Sequence, residues 1–313
     1  TRKAGRVASK RQVGRRDLPR ALSLSMSSLL ASIVDGMLLG FIYGMAAMGL
    51  TLIWGVMRVI NLAHGALMVC GMFGAYAVHG ATGLSPYASL PGLALLGALS
   101  GIGIYYASVH RLVGAPHLST LLATFAVNMI LIGLGTALLT TSPRNVDVSM
   151  GTVRLGPITV QGTRLAAAAT SIGISLGLHA FLERTFPGKC IRAVADNHDA
   201  AELMGISSSR VLALAFGLGT MLAVIAGALI ATLFPFHVLS GGTYETKAFV
   251  ICVLGGLGNP RGALLGGLVL GAIEGVVPVF LPVSLVPLLE FVLFVLVLLV
   301  RPNGLLAVSV SKP

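Results

Sequence analysis

The sequence predicts an all-α membrane protein, a polytopic bundle of about eight or nine transmembrane helices. Of its 313 residues, 56% are apolar and 10% are charged, which is far from the composition of a soluble domain. Several apolar runs are long enough to cross about 30 Å of hydrocarbon as helices. Forty glycines and only 6% aromatic residues indicate helices that pack closely through small residues, and they argue against a β-barrel.

The chain begins with a basic tail at residues 1–25, which carries eight basic residues and one acidic residue. We expect this tail to be disordered, and we place a single membrane domain at 26–305, followed by a short C-terminal tail at 306–313. Met26 opens the hydrophobic body, so we expect that the protein starts there or that the tail is an added or upstream segment. Outside the tail the net charge is only +4, which does not indicate nucleic-acid binding.

The apolar runs predict eight membrane-spanning helices in order along the chain. A shorter run at 247–258 is predicted to be a half-helix or a ninth span. Residues 141–163 break the helical pattern with alternating Val, Ile and Thr around Gly156–Pro157, which predicts a small hairpin on the outer face. The eight spans are expected at 28–52, 62–80, 87–109, 118–140, 164–182, 211–234, 262–281 and 284–300.

Two of these spans carry glycine at every fourth position, which places the glycines on one face of each helix. Such a face lets the backbone of a neighbouring helix approach closely, so we expect both stripes to be packing surfaces. The stripes consist of Gly36, Gly40 and Gly44 in the first span and of Gly267, Gly271 and Gly275 in the seventh.

The segment 183–210 is a polar loop between the fifth and sixth spans. It holds 8 of the 22 charged residues found outside the tail, four of each sign, and such a segment cannot lie in hydrocarbon. We predict a turn at Pro187–Gly188, followed by residues with helical apolar spacing. A second short helix from Asp199 to Met204 should end at Gly205 in a left-handed C-cap. Composition alone fits a solvated connector as well as it fits a docking element for a partner.

The residues of this loop add a resemblance. The run from Asp199 to Gly205, DAAELMG, resembles the cytoplasmic EAA loop of ABC-importer permeases, which docks into the ATPase subunit. The wider run 187–206 is similar to the version found in the branched-chain amino acid permease family. Residues 54–65, WGVMRVINLAHG, resemble that family's GxxxxxNxAHG signature. Residues 247–267 are similar to its KAF…LGGLGxxxGAxxGG segment, and RPNGL at 301–305 is similar to its closing RPxGL.

The resemblance implies the permease subunit of an ABC importer in a bacterial-type inner membrane. Its implied partners are a homologous second permease, two ATP-binding-cassette ATPase subunits, a periplasmic or lipid-anchored substrate-binding protein, and membrane lipid. The implied substrate is a branched-chain or other hydrophobic amino acid, with urea or a short-chain amide as the alternative. We expect no enzyme activity, cofactor or metal, since the ATP-binding motif GxxxxGK[ST] and the zinc-protease motif HExxH are missing from the sequence.

Candidate functional residues fall into two groups. Those implied for coupling to the ATPase within 190–206 are Arg192, Asp199, Ala200, Ala201, Glu202 and Gly205. Those expected to line the translocation path or to support it are Asn61, His64, Gly65 and Glu274.

The second group depends on an interruption between two apolar runs. Asn61 and His64 break the hydrophobic pattern, so they either line a path or hold the broken backbone together, and for His64 we favour the latter. Glu274 is the best candidate for a buried functional carboxylate, whereas Glu290 is expected to contact water or a neighbour, and Asp35 should face the bundle or an interface. An ion-coupled secondary transporter that uses Glu274 and His64 would have no reason to carry the docking motif.

A cytoplasmic location of loop 183–210 fixes the orientation of the chain. Five spans precede the loop, so the N-terminus would lie outside, which conflicts with the positive-inside rule if the basic tail belongs to the protein. A start at Met26 removes the conflict. The same orientation places Arg111 inside, and Arg261 and Arg301 as well provided that 247–258 crosses the membrane.

Overall fold

A computed structural model gives the structure of residues 18–139, 141–156, 158–301 and 304. Within these residues the chain is a bundle of eleven α-helices with one small β-hairpin. In chain order the helices are α1 (Leu18–Met57), α2 (His64–Thr82), α3 (Pro86–Ile104), α4 (His117–Leu139), α5 (Gly162–Arg184), α6 (Phe186–Asp196), α7 (His198–Leu203), α8 (Ser208–Ala231), α9 (Gly241–Gly255), α10 (Pro260–Phe280) and α11 (Val286–Val300).

Eight of the helices in the described part of the chain are long and apolar enough to cross a membrane, namely α1 to α5, α8, α10 and α11. They match the eight predicted spans, and this confirms the predicted class of polytopic helical membrane protein. α9 has 15 residues, or about 22 Å at 1.5 Å per residue, which is shorter than the hydrocarbon core. α9 alone therefore covers only part of the membrane thickness, and residues 232–240 together with α9 carry the chain from the end of α8 back to Arg261 at the opposite end of the bundle.

Residues 18–25, which fall within the predicted disordered tail, form the first turns of α1. Leucine and alanine in this segment are good helix formers, and Pro19 is compatible with helix because it lies in the first turn. Residues 1–17 and the predicted C-terminal tail at 306–313 lie outside the described residues.

The centre of the bundle is built on α1 and α8, whose apolar segments are largely buried, whereas α4 is largely exposed. α1 packs against α10 through the two glycine stripes. A Cβ atom on Gly36 would lie 2.2 Å from the carbonyl oxygen of Gly271, and one on Gly267 would lie 2.5 Å from that of Gly40. The stripes are thus packing surfaces, as predicted, because only glycine lets these two backbones approach so closely.

The predicted hairpin is present as β1 (Thr152–Leu155) and β2 (Ile158–Gln161), two antiparallel strands in which Leu155 is paired with Ile158. Gly156 in the connection has φ +63°, a conformation that favours glycine. The hairpin lies at one end of the bundle with the start of α3, since the Tyr87 hydroxyl donates to the carbonyl oxygen of Thr163 at 3.0 Å.

The polar loop lies at the opposite end. Arg261, at the start of α10, forms an ion pair with Glu183 at the end of α5. His110, next to Arg111, has its Nδ1 atom 3.4 Å from the hydroxyl oxygen of Ser209. The basic residues Arg111 and Arg261 therefore share one end with the loop, as the predicted orientation requires.

Candidate functional site

The first candidate region is the break between α1 and α2. α1 ends at Met57 and α2 begins at His64, with no regular helix between them. The His64 side chain nevertheless lies beside Ala46, about 16 Å back along α1, with its Nε2 atom 3.0 Å from the Ala46 carbonyl oxygen. The intervening segment therefore runs back into the bundle, and α2 begins at depth.

Protein groups satisfy the irregular backbone of this break. The fully buried Asn61 accepts a hydrogen bond from the Ala63 amide at 3.1 Å, and the Thr124 hydroxyl of α4 donates to the carbonyl oxygen of Ile60 at 2.9 Å. Such pairing is required wherever a chain is not helical at membrane depth. These contacts and that of His64 match the interpretation that both side chains support the break. A role in the translocation path stays a prediction.

Gly65 lies where α2 meets the start of α9. A Cβ atom at this position would stand 2.3 Å from the carbonyl oxygen of Gly241 and 2.7 Å from the Cβ atom of Glu245. Only glycine permits this approach, so Gly65 belongs to the support of two helices that begin inside the bundle.

A buried charge cluster joins α9, α10 and α11. The Lys247 ammonium donates to Glu274 Oε1 at 2.7 Å and to Glu290 Oε1 at 3.2 Å. Lys247 is 7% exposed and Glu290 is 4% exposed. The Lys247 ammonium also lies 5.0 Å from the centre of the Tyr43 ring on α1, which is within cation–π distance.

The cluster corrects one expectation and supplies one residue that sequence reasoning missed. Glu290 was expected to contact water or a neighbour, but it is buried inside the bundle, where α11 presents it to Lys247. In the sequence, Lys247 stands out only as the first residue of the 247–267 motif. Its functional importance could have been predicted from its position in an apolar run, because a lysine within the membrane needs a carboxylate partner.

A second ion pair stands near the first. Arg164, in the first turn of α5, is paired through its Nη1 atom with Asp35 of α1. Asp35 therefore faces the bundle, as predicted. The Arg164 guanidinium also lies 5.7 Å from the centre of the Phe234 ring, so it is held between a carboxylate and an aromatic face.

These two ion pairs border one cavity of about 370 Å³, which we call the charged cavity. Asp35, Arg164, Lys247 and Glu274 supply its charged side. Its volume falls within the range of small-molecule sites, about 300–1,000 Å³. Its remaining lining is mostly apolar and includes Leu39, Phe234, Pro278, Val283, Val286 and Pro287.

The second candidate region is the polar loop at the other end of the bundle. The predicted turn at Pro187–Gly188 is wrong, since both residues belong to the first turn of α6. Thr185 caps this helix by accepting a hydrogen bond from the Gly188 amide at 3.1 Å, and proline is well tolerated in a first turn. The apolar face of α6 is buried through Ile191 and Val194.

The short helix α7 closely follows its predicted bounds. Asn197 caps its start by accepting from the Ala200 amide at 3.0 Å. At its end Gly205 has φ +83°, and the Ile206 amide donates to the Ala201 carbonyl oxygen at 3.1 Å. This is the predicted left-handed C-cap, and it closes the helix in a Schellman-type turn.

Solvent exposure divides the predicted coupling residues of α6 and α7 into two groups. Arg192, Asp199, Ala200 and Glu202 are exposed, as a docking surface requires, whereas Ala201 is 5% exposed and faces the bundle. Ala201 therefore cannot approach a partner directly. Sequence reasoning did not identify Leu203 and Met204 as surface residues, yet they are 89% and 83% exposed and form an apolar projection just before Gly205.

A larger cavity of about 670 Å³ lies behind α6, between this helix and the ends of α1, α5 and α10. Charged residues on both walls line it: Glu183, Lys189, Arg192, Asp196 and Arg261. On this side α6 faces a cavity lined by both charged and apolar residues, with Ile191 of α6 among the apolar ones. Among the described residues no group of three His, Cys, Asp or Glu side chains is arranged to hold a metal ion.

Comparison with known proteins supplies the family. A family model described as the permease component of the branched-chain amino acid transport system matches residues 32–300. The chain belongs to this family. The branched-chain permease resemblance of its motifs is thereby confirmed, and the protein is a multi-pass membrane permease component.

Individual relatives agree with the family match. The high-affinity branched-chain amino acid transport system permease protein LivH of Salmonella typhimurium is 29% identical over 294 residues, covering 88% of this chain and 95% of the relative. The corresponding protein BraD of Pseudomonas aeruginosa is 28% identical over 297 residues with the same coverage. A probable LivH of Methanocaldococcus jannaschii is 26% identical over 283 residues, or 85% and 89% of the two chains. No solved structure gave a significant match.

Proposed function

We propose that the chain is the transmembrane permease subunit of an ATP-driven ABC importer for branched-chain or other hydrophobic amino acids. The observation that carries the proposal is the α6–α7 loop, an ordered and capped polar element on a chain of the branched-chain permease family. A capped helix pair is rigid enough to transmit a displacement of the ATPase to the helix bundle, whereas an unstructured connector would deform instead. The substrate class comes from the names of the relatives.

The proposed assembly contains a second homologous permease, two ATPase subunits and a soluble substrate-binding protein. ATP hydrolysis takes place on the ATPase subunits, and the permease is not itself an enzyme. Leu203 and Met204 insert into a groove on the ATPase, with Arg192, Asp199, Ala200 and Glu202 around them. Closure of the ATPases moves the loop, and the bundle opens alternately to each side.

The glycine contacts support a rigid-body response of the bundle. α1 and α10 touch through backbone atoms at Gly36 and Gly267, so they have no intervening side chains that can yield. Movement imposed on α6 reaches this pair through the end of α5 and the Glu183–Arg261 ion pair.

The test is reconstitution of the chain in proteoliposomes with candidate ATPases, a second permease and binding proteins, supplied with radiolabelled L-leucine or urea. We expect ATP-dependent leucine uptake and ATP hydrolysis that rises with loaded binding protein. ATP-dependent uptake of urea or an amide, without uptake of leucine, would replace the substrate assignment. Uptake driven by an ion gradient in the absence of any ATPase would contradict the proposal as a whole.

A further inference from the structure

The charged cavity has an uneven distribution of charge. At one side a single ammonium, that of Lys247, is shared by the two carboxylates of Glu274 and Glu290. At the other side Arg164 is matched by the one carboxylate of Asp35. The Glu274 side therefore carries an excess negative charge, which favours a cationic group of a ligand.

Two polar atoms of the cavity-lining residues lack a partner. Glu274 Oε2 and Arg164 Nε are both buried, and neither forms a hydrogen bond within the described residues. A buried polar group without a partner typically costs about 1–3 kcal/mol, and more when the group is charged. One of these atoms is a carboxylate acceptor and the other a guanidinium donor, so the pair complements a ligand that carries both an ammonium and a carboxylate.

The apolar part of the cavity lining favours a ligand with an aliphatic side chain. Leu39, Phe234 and Val286 present apolar side chains to the cavity. An aliphatic side chain in contact with them is removed from water at no cost to a polar group.

We propose that the charged cavity binds a neutral aliphatic α-amino acid inside the membrane domain, with its ammonium on Glu274 and its carboxylate on Arg164. This inference rests on the proposed function and deepens it, since it names the residues of the permease itself that recognise the substrate. Lys247 keeps Glu274 Oε1 occupied and so directs the ligand ammonium to Oε2. Asp35 holds Arg164 Nη1 and leaves Nε for the ligand carboxylate.

The experiment tests the recognition of the ligand's ammonium separately from that of its carboxylate. The full-length chain is placed in lipid nanodiscs without binding protein, and its thermal stabilisation is titrated with three probes to obtain dissociation constants. The probes are L-leucine, 3-methylbutylamine, which lacks the carboxylate, and 4-methylpentanoic acid, which lacks the ammonium. The variants are Glu274→Gln and Arg164→Gln, and the control is Asp147→Asn in the exposed segment before β1.

We expect a crossed pattern, in which each variant loses affinity only for the probes that carry the charged group bound by the replaced residue. Glu274→Gln weakens the binding of leucine and of the amine about tenfold or more and leaves the binding of the acid unchanged, whereas Arg164→Gln weakens leucine and the acid and leaves the amine unchanged. The Asp147→Asn control binds all three probes like the wild type. Equal losses for all probes in both variants, or no stabilisation of the wild type by leucine, would overturn the proposed site.

Reconstituted uptake distinguishes this inference from the proposed function. If the wild-type assembly imports leucine with ATP while the nanodisc pattern is not crossed, the site is refuted and the function stands. If the assembly imports urea or an amide and not leucine, the substrate assignment of the proposed function fails, and this inference fails with it.

Discussion

Gly65 and Gly241 touch at the point where α2 and α9 begin inside the bundle, so close that a Cβ atom on Gly65 would lie 2.3 Å from the carbonyl oxygen of Gly241. Each helix starts after a non-helical segment or a turn, and each supports the start of the other. The contact is between backbones, which cannot move aside as the end of a flexible side chain can.

Adding one methyl group at this contact should destabilise the protein. We expect Gly65→Ala to cost about 1–3 kcal/mol, the usual range for overpacking a dense interior, and to lower the midpoint of thermal unfolding in detergent. Gly80→Ala is the matched control on the same helix, because a Cβ atom there meets nothing within 4 Å. Equal unfolding midpoints for the two variants would show that α2 and α9 can move apart without a loss of stability.

Coupling through α7 should depend on the left-handed conformation of Gly205. A β-branched residue at φ +83° is strained by about 1–3 kcal/mol, so we expect Gly205→Val to abolish uptake and substrate-stimulated ATP hydrolysis while membrane abundance stays near normal. Gly205→Asn should retain much of the activity, since asparagine tolerates this conformation. Stimulated hydrolysis in the valine variant would show that the loop does not couple the subunits.

Ala201→Arg should act differently from a surface substitution. We expect it to abolish coupling by displacing α7, because Ala201 is buried against the bundle and an arginine does not fit there. Ala200→Arg, on the exposed side of the same helix, should instead block docking and leave α7 in place. Limited proteolysis of the loop distinguishes the two, and a loop equally resistant to protease in both variants would contradict this assignment.

Removing the ammonium of the charge cluster should be severe. Lys247→Met leaves Glu274 and Glu290 buried without a cation, and we expect a loss of about 3–5 kcal/mol, seen as reduced abundance and a lower unfolding midpoint. Lys247→Arg keeps the positive charge and should be far less damaging. A methionine variant as stable as the wild type would mean that Lys247 does not neutralise these carboxylates.

Topology can be tested on Leu203, a highly exposed residue of the loop. Native Cys190 is buried, so a cysteine introduced at Leu203 is the better reporter, in a background with Cys70, Cys190 and Cys252 replaced by alanine. We expect a membrane-impermeant thiol reagent to label Leu203→Cys in inverted vesicles and not in intact cells. A cysteine at Val153 in the hairpin should give the reverse. Labelling of Leu203→Cys from outside would place the loop on the wrong side for ATPase docking.

Most of the helices could be predicted from the sequence because the membrane imposes a simple rule on them. A run of about twenty apolar residues has few alternatives to a spanning helix, and the glycine stripes pointed correctly to close packing. The hairpin and the cap at Gly205 could also be predicted, since the residue preferences of turns are local in sequence. The prediction of a turn at Pro187–Gly188 was wrong for a local reason too, because proline suits the first turn of a helix as well as it suits a chain-reversing turn.

The candidate site was harder to predict because its members are far apart in sequence. Glu274 drew attention as a carboxylate inside a span, but its partner Lys247 lies 27 positions earlier and Glu290 lies 16 positions later. Asp35 and Arg164 are 129 positions apart. Only the packing of α1 against α5, and of α9 between α10 and α11, brings these side chains to one cavity, and no local pattern encodes that packing.

The same separations bear on how the protein is made. Asp35 emerges from the ribosome 129 residues before Arg164, so α1 reaches the membrane with a carboxylate whose counter-charge does not yet exist. Lys247 likewise precedes both of its acidic partners. Because a lone charge is costly in lipid, we expect α1 to stay beside the insertion machinery until α5 arrives, and α9 to stay there until α10 and α11 arrive.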